Sequence, residues 1–221
     1  MLYSEFVEVY EKLGKTTKKL EKVDIFADFL KELKKKGESC FIYLLKGRIV
    51  PDYDSREIGI SRKLAIKSLS KGFGLEEEEI NQRFRKIGDL GEIAEEFSAQ
   101  KKQRALFSSK LTAKKVFENL KKAMEIEGKG AVSKKLDLIS ELFGNATPKE
   151  AKYIVRTLLS DLRIGVADGI LRDAIAKAFL ENTQENKERV QRVFDLVAES
   201  AMGFEAANKG AKYLDEVSGE W

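Results

Sequence analysis

Apolar residues recur at helical spacing through nearly every segment of this chain, and no run alternates as a half-buried strand must. Leu2, Phe6, Val9, Tyr10 and Leu13 form one stripe, and Ile25, Phe26, Phe29, Leu30 and Leu33 form the next. Val116, Phe117, Leu120, Ala123 and Met124 line a further helix that Thr112 can cap. The clearest start signal is "TPKE", with Thr147 at the N-cap, Pro148 at the first helical position and Glu150 placed to close a capping box. Behind it Ile154, Val155, Leu158, Leu159 and Leu162 give an apolar face. "LEEEEI" (Leu75–Ile80) sets glutamates in a first turn, where the helix dipole favours negative charge. Only two prolines, Pro51 and Pro148, interrupt the 221 residues. The expected fold is all-α, one domain of about a dozen short helices.

Composition narrows the chemistry. With 43% hydrophobic and 35% charged residues the chain can build a core and is not a disordered segment. No apolar run approaches the ~20 residues of a membrane span, so no membrane partner is expected. Cys40 is the single cysteine, which excludes an internal disulfide and suits a reducing interior. The sequence holds no histidine. Ser-His-Asp and Cys-His catalysis are thereby excluded, and so are ordinary zinc sites. A net charge of +4 favours an anionic partner over a cationic one, although a solvated lysine-rich surface reads the same way.

The chain echoes itself. "EIGISRKLAIKSLSKGF" (Glu57–Phe73) aligns without gaps to "RIGVADGILRDAIAKAF" (Arg163–Phe179). Upstream, "YLLK" (Tyr43–Lys46) resembles "YIVR" (Tyr153–Arg156), and Asp89–Leu90 recurs as Asp195–Leu196. This reads as two duplicated helical halves, about residues 1–105 and 112–215, joined by a linker at 101–110.

Three glycine-bearing junctions open helices: "GDLGEIAEEF" from Gly88, "GKGAVSKKLDLI" from Gly128 and "RIGVADGILRD" from Arg163. A helix start offers unpaired N–H groups and a positive dipole end, and glycine lets a phosphate approach closely. Lys129, Lys134, Lys135, Arg163 and Arg172 add positive charge at two of the three. A phosphate backbone is one ligand that fits; plain C-caps and turns are the other reading. Nucleotide motifs fail. "GKGAVSKK" has Ser133 and Lys135 where a P-loop needs glycine and Ser/Thr, and "KYLDEV" (Lys212–Val217) lacks the spacing of a K-x-D-G nucleophile. No catalytic residues are expected here. In the linker "KKQRALFSSK", either Phe107 folds back as a staple onto the next helix, or Gln103, Leu106 and Phe107 form an anchor for a pocket on another protein.

Taken together, "YLLKGRIVPDYDSREIGI", "GDLGEIAE", "KKLDLISELF" and "YIVRTLLSDLRIGVADGILRDAIAKAF" resemble, in that order, the N-terminal DNA-binding domain of archaeal and eukaryotic ATP-dependent DNA ligases. The likeness covers nearly the whole chain. It implies an internally duplicated helical domain that grips the minor groove of double-stranded DNA around a nick, without sequence preference, in replication, repair and recombination. Carried onto this chain, the DNA-binding residues would be Gly88 and Gly91, then Gly128, Lys129, Gly130, Lys134 and Lys135, then Arg163, Gly165, Gly169 and Arg172. The middle loop reads "GKGA", with Ala131 where archaeal members often carry serine. "QRALF" stands where those members carry a sliding-clamp (PCNA) motif, so Gln103, Leu106 and Phe107 would dock the clamp. The family's adenylation domain, with its K-x-D-G lysine, and its OB-fold domain have no counterpart in these 221 residues. The chain is therefore expected to be an intracellular ligase fragment, inactive by itself. ATP and Mg2+ would serve the full-length enzyme, and no cofactor or metal is expected here. Two other readings stand beside this one: a helical scaffold that docks a clamp without binding DNA, and a small enzyme with an unrecognised site.

Overall fold

The computed structural model describes residues 1–37, 41–51, 54, 56, 58, 60–100, 110–197 and 200–219. Cys40, Gln103, Leu106 and Phe107 lie outside the described residues. Thirteen helices account for the order of the described residues: α1 (Tyr3–Lys15), α2 (Lys19–Lys36), α3 (Ile42–Leu45), α4 (Arg62–Phe73), α5 (Glu77–Ile87) and α6 (Leu90–Gln100) come first. They are followed by α7 (Ala113–Glu125), α8 (Ala131–Asn145), α9 (Pro148–Leu158), α10 (Asp168–Phe179), α11 (Gln184–Val197), α12 (Ser200–Lys209) and α13 (Ala211–Ser218). Among the described residues there is no strand, only an isolated antiparallel bridge between Leu2 and Thr112. The fold is all-α.

The start signals act as read. Thr112 caps α7 by accepting from the Lys115 N–H, and Thr147 and Glu150 close a complete capping box on α9. The acidic start of α5 begins one residue later than its sequence suggests, with Glu76 at the N-cap and Glu77, Glu78 and Glu79 in the first turn.

The chain divides into two compact units, one of Met1–Val7 with Arg56–Leu162 and the other of Glu8–Ser55 with Arg163–Trp221. Each unit therefore draws on both sides of the 101–110 linker. The segments that echo each other in sequence form α4 and α10, helices of twelve residues that start and stop at aligned positions. The chain changes unit just ahead of each.

In the first unit α6 packs on α9 and α4 packs on α8, with α7 and α5 completing the layer. Phe6, Leu69, Ile80, Ile93, Val116, Leu120, Ile139, Leu142 and Ile154 supply a buried core. The N-terminal residues are tied to the start of α7 by Tyr3 N–H donating to the Leu111 carbonyl at 2.9 Å and Ala113 N–H donating to the Met1 carbonyl at 3.0 Å. Tyr3 is fully buried, and burial pushes its phenol well above the ordinary range. In the second unit α2 lies along α10, and α11, α12 and α13 pack against one another beside it. Leu13, Leu30, Leu33, Ile42, Leu44 and Phe204 are fully buried there, and the Phe179 ring meets Phe204 edge-on at 5.3 Å.

Close packing makes some helical glycines obligatory and leaves others free. A Cβ at Gly203 in α12 would fall 1.9 Å from the Phe194 ring, whereas one at Gly14 in α1 would meet nothing within 4 Å. Gly203→Ala is expected to destabilise the fold by about 1–3 kcal/mol through overpacking. Gly14→Ala is expected to stabilise it by up to about 1 kcal/mol through helix propensity. Thermal melts followed by circular dichroism compare the two, and a Gly203→Ala melting point at or above the parent's would contradict this packing.

Candidate functional site

The first glycine junction is built around a buried ion pair. Gly88 ends α5 in the left-handed region, at φ +74°, where it is exposed and a side chain would be strained. The next residue, Asp89, is buried. Its Oδ1 accepts from the N–H groups of Gly91 (2.7 Å) and Glu92 (3.4 Å), which caps α6. Its Oδ2 accepts from Arg156 Nη2 at 2.6 Å. Arg156 comes from α9, a helix buried along most of its length, and its guanidinium lies 5.4 Å from the Tyr153 ring centre and donates to the Leu162 carbonyl at 3.4 Å. A Cβ at Gly91 would stand 2.8 Å from Arg156 Cγ. Gly91 is buried, a side chain there would collide with the arginine stem, and its N–H is already donated to Asp89.

The second junction is open. Gly128 and Gly130 both lie in the left-handed region, at φ +82° and +81°, both are exposed, and a Cβ on either would meet nothing within 4 Å. Gly130 is the N-cap of α8, and no side chain caps that helix. Lys129 and Lys134 are exposed and Lys135 is half-buried; none of the three meets a carboxylate among the described residues. The helix behind them is firmly seated. Asn119 of α7 is buried and donates Nδ2 to the Leu138 carbonyl and to Glu141 Oε2, both at 3.0 Å. Lys115 reaches the same carboxylate at 2.8 Å. The Lys115 contact, then that of Asn119, holds the Glu141 carboxyl below its ordinary range. This start therefore presents positive charge and free space at an uncapped helix end, with the Ala131 N–H already turned onto the Gly128 carbonyl.

The third junction belongs to the second unit. Arg163 is exposed and held at φ +55°, a region non-glycine residues rarely adopt, and Gly165 follows at φ +60°. Gly169 occupies the first turn of α10, whose N-cap, Ala167, carries no capping side chain. Arg172 is committed inward: Nε and Nη2 donate to Asp173 Oδ1 at 2.9 and 2.6 Å, and Nη1 donates to Gln191 at 2.9 Å. Lys19 binds the other Asp173 oxygen at 2.8 Å. Burial raises the Asp173 carboxyl, but the hydrogen bonds from Lys19 and Arg172 outweigh it and the net displacement is downward. Arg172 thus braces α10 where the sequence pattern suggests a phosphate contact. Beneath the loop lies Lys22, a residue absent from the sequence-based set.

The structure places Gly88, Gly91, Gly128, Lys129, Gly130, Lys134 and Lys135 in the first unit and Arg163, Gly165, Gly169 and Arg172 in the second. Among the described residues no group of three acidic or cysteine side chains is arranged to hold a metal, and no helix is long and apolar enough to cross a membrane.

Comparison with known proteins gives this arrangement its class. A family model described as the DNA ligase N terminus matches residues 2–176. The chain belongs to that family. It is 42% identical over 199 residues to a DNA ligase of Thermococcus fumicolans, covering 90% of this chain and 35% of that protein. It is 42% identical over 197 residues to a DNA ligase of Methanosphaera stadtmanae, covering 88% and 35%. With a DNA ligase of Methanobrevibacter smithii the identity is 35% over 219 residues, covering 99% and 40%. The chain thus spans a little over a third of the length of these relatives.

Two expectations test the supports. Arg156→Met should destabilise the first unit by about 3–5 kcal/mol, because it strands the Asp89 carboxylate in the core. Asp89→Asn in the same background should restore part of the loss in denaturant melts. For Asp173, a depressed carboxyl contributes stability that is complete above its unfolded pKa of about 3.9 and is lost as the pH falls through the lower folded value. The stability gap between parent and Asp173→Asn should therefore be widest near neutrality and close in acid; a gap that is constant with pH would contradict the pairing.

Proposed function

We propose that this chain is the duplex-DNA-gripping part of a DNA ligase. The observation that carries the reading is the start of α8 in a chain of this family. Lys129, Lys134 and Lys135 surround an uncapped helix start opened by two left-handed glycines, with no carboxylate among the described residues to neutralise them. Such a start suits a phosphodiester, since backbone N–H groups and lysines bind phosphate oxygens without reading bases. Gly88 in the first unit and Arg163, Gly165 and Gly169 in the second add further phosphate contacts. Gly91 and Arg172 support them from within. Binding is then independent of sequence and spans a nick in the minor groove. In the full-length enzyme, adenylation and OB-fold domains using ATP and Mg2+ join the 3′-hydroxyl to the 5′-phosphate, and tethering raises their effective concentration at the DNA. The 101–110 linker, through Gln103, Leu106 and Phe107, docks a sliding clamp.

Fluorescence anisotropy of nicked and intact duplexes across a salt series tests the reading. Dissociation constants of about 10⁻⁴–10⁻⁶ M that weaken steeply with salt are expected. Arg163→Ala and Lys129→Ala should each reduce the slope of log affinity against log salt by about one, equally for unrelated sequences. Absence of binding at low salt would overturn the DNA reading and favour the clamp-docking scaffold. Phe107→Ala should abolish clamp association and leave duplex affinity intact.

A further inference from the structure

Lys22 stands on the core face of α2, one turn before Phe26, and is 6% exposed. Its ammonium donates to the carbonyls of Ile164 at 2.7 Å and Gly165 at 2.6 Å. No carboxylate joins them among the described residues. The carboxylates of the flanking pairs are engaged elsewhere: Asp173 by Lys19 and Arg172, and Asp24 by Lys177. A buried charge is strongly unfavourable unless it is matched, and two carbonyl dipoles match an ammonium only in part.

The geometry of the loop shows where the remaining countercharge can come from. Gly165 is exposed, sits at φ +60°, and a Cβ there would lie 2.8 Å from Lys22 Nζ. The positive charge is thus separated from solvent by little more than one bare stretch of backbone. Ile164 is buried and Arg163 is exposed on the preceding residue, so the segment turns one face to the ammonium and another outward.

We propose that Lys22 is a positioning residue for a phosphate on the Arg163–Gly165 segment: it clamps two of the loop's carbonyls from below and supplies the buried charge that a phosphodiester above the loop neutralises. This rests on the duplex-DNA reading. It assigns Gly165 a second reason to be glycine, since any side chain would displace the ammonium.

The test compares parent, Lys22→Gln, Lys22→Met and Lys22→Arg chains by duplex anisotropy across a salt series, with melting points confirming folding at the assay temperature. Lys22→Gln and Lys22→Met should bind about tenfold or more weakly, the loss of a charge-assisted interaction, and the salt slope should fall by about one. Lys22→Arg, which keeps charge and two donors, should bind within about threefold of the parent. A folded Lys22→Gln chain with parental affinity and slope overturns the proposal while duplex binding stands. A parent chain that binds no duplex overturns the DNA reading itself. Should the neutral variants unfold, NMR of the parent's Lys22 side-chain ammonium as duplex is added decides the matter. A shift of the Lys22 signal on binding supports the proposal, and an unchanged Lys22 signal with duplex bound overturns it.

Discussion

The Arg156–Asp89 pair is the contact on which the first unit turns. A guanidinium on a helix buried along most of its length has to be matched by an acceptor, and the Asp89 carboxylate that does so brings the start of α6 against the last turn of α9. Asp89 then serves two partners at once, the arginine and the free N–H groups of α6. Gly91 follows from the same contact, because a Cβ would collide with the arginine stem. One ion pair thus sets a helix cap, a glycine and the most extensive helix–helix contact of the unit.

The second unit repeats the logic with different groups. Asp173, buried, is satisfied by Lys19 and Arg172, and Lys22 is held on loop carbonyls two residues before the Asp24 of the Asp24–Lys177 pair. In each case polar groups fix where a glycine-bearing loop meets a helix, while the apolar stripes fix only that the helices pack. Hydrophobic burial is non-directional, and hydrogen-bonded charge is not. The open start of α8 is the exception: its support comes from Asn119 and Glu141 behind the helix, and its own lysines face outward.

Much of the fold was legible from local pattern. The capping box at Thr147, the cap at Thr112 and the stripe through Phe26, Phe29, Leu30 and Leu33 all appear where periodicity and cap chemistry place them. Of the site, the open α8 start and the turns at Gly88 and Gly165 were legible, because glycine marks left-handed backbone; the same backbone at Arg163 carries no such mark. Lys22 was not read, although its place on the apolar face of α2 was the available signal. Arg172 and Gly91 read as surface contacts because a sequence window cannot show that Gln191 or Arg156 stands beside them.

By itself the sequence determined the helical class, the helix starts, the absence of histidine chemistry and the family. Helix periodicity and caps are set by residues a few positions apart, so they survive in any window of the chain. The tertiary structure alone decided which residues share a unit and which charges are spoken for. Arg156 meets Asp89 across 67 residues and Lys22 meets Ile164 across 142, separations at which spacing carries no information. Those distant pairings set Gly91 against the Arg156 stem and hold a buried ammonium on the carbonyls of the Ile164–Gly165 turn.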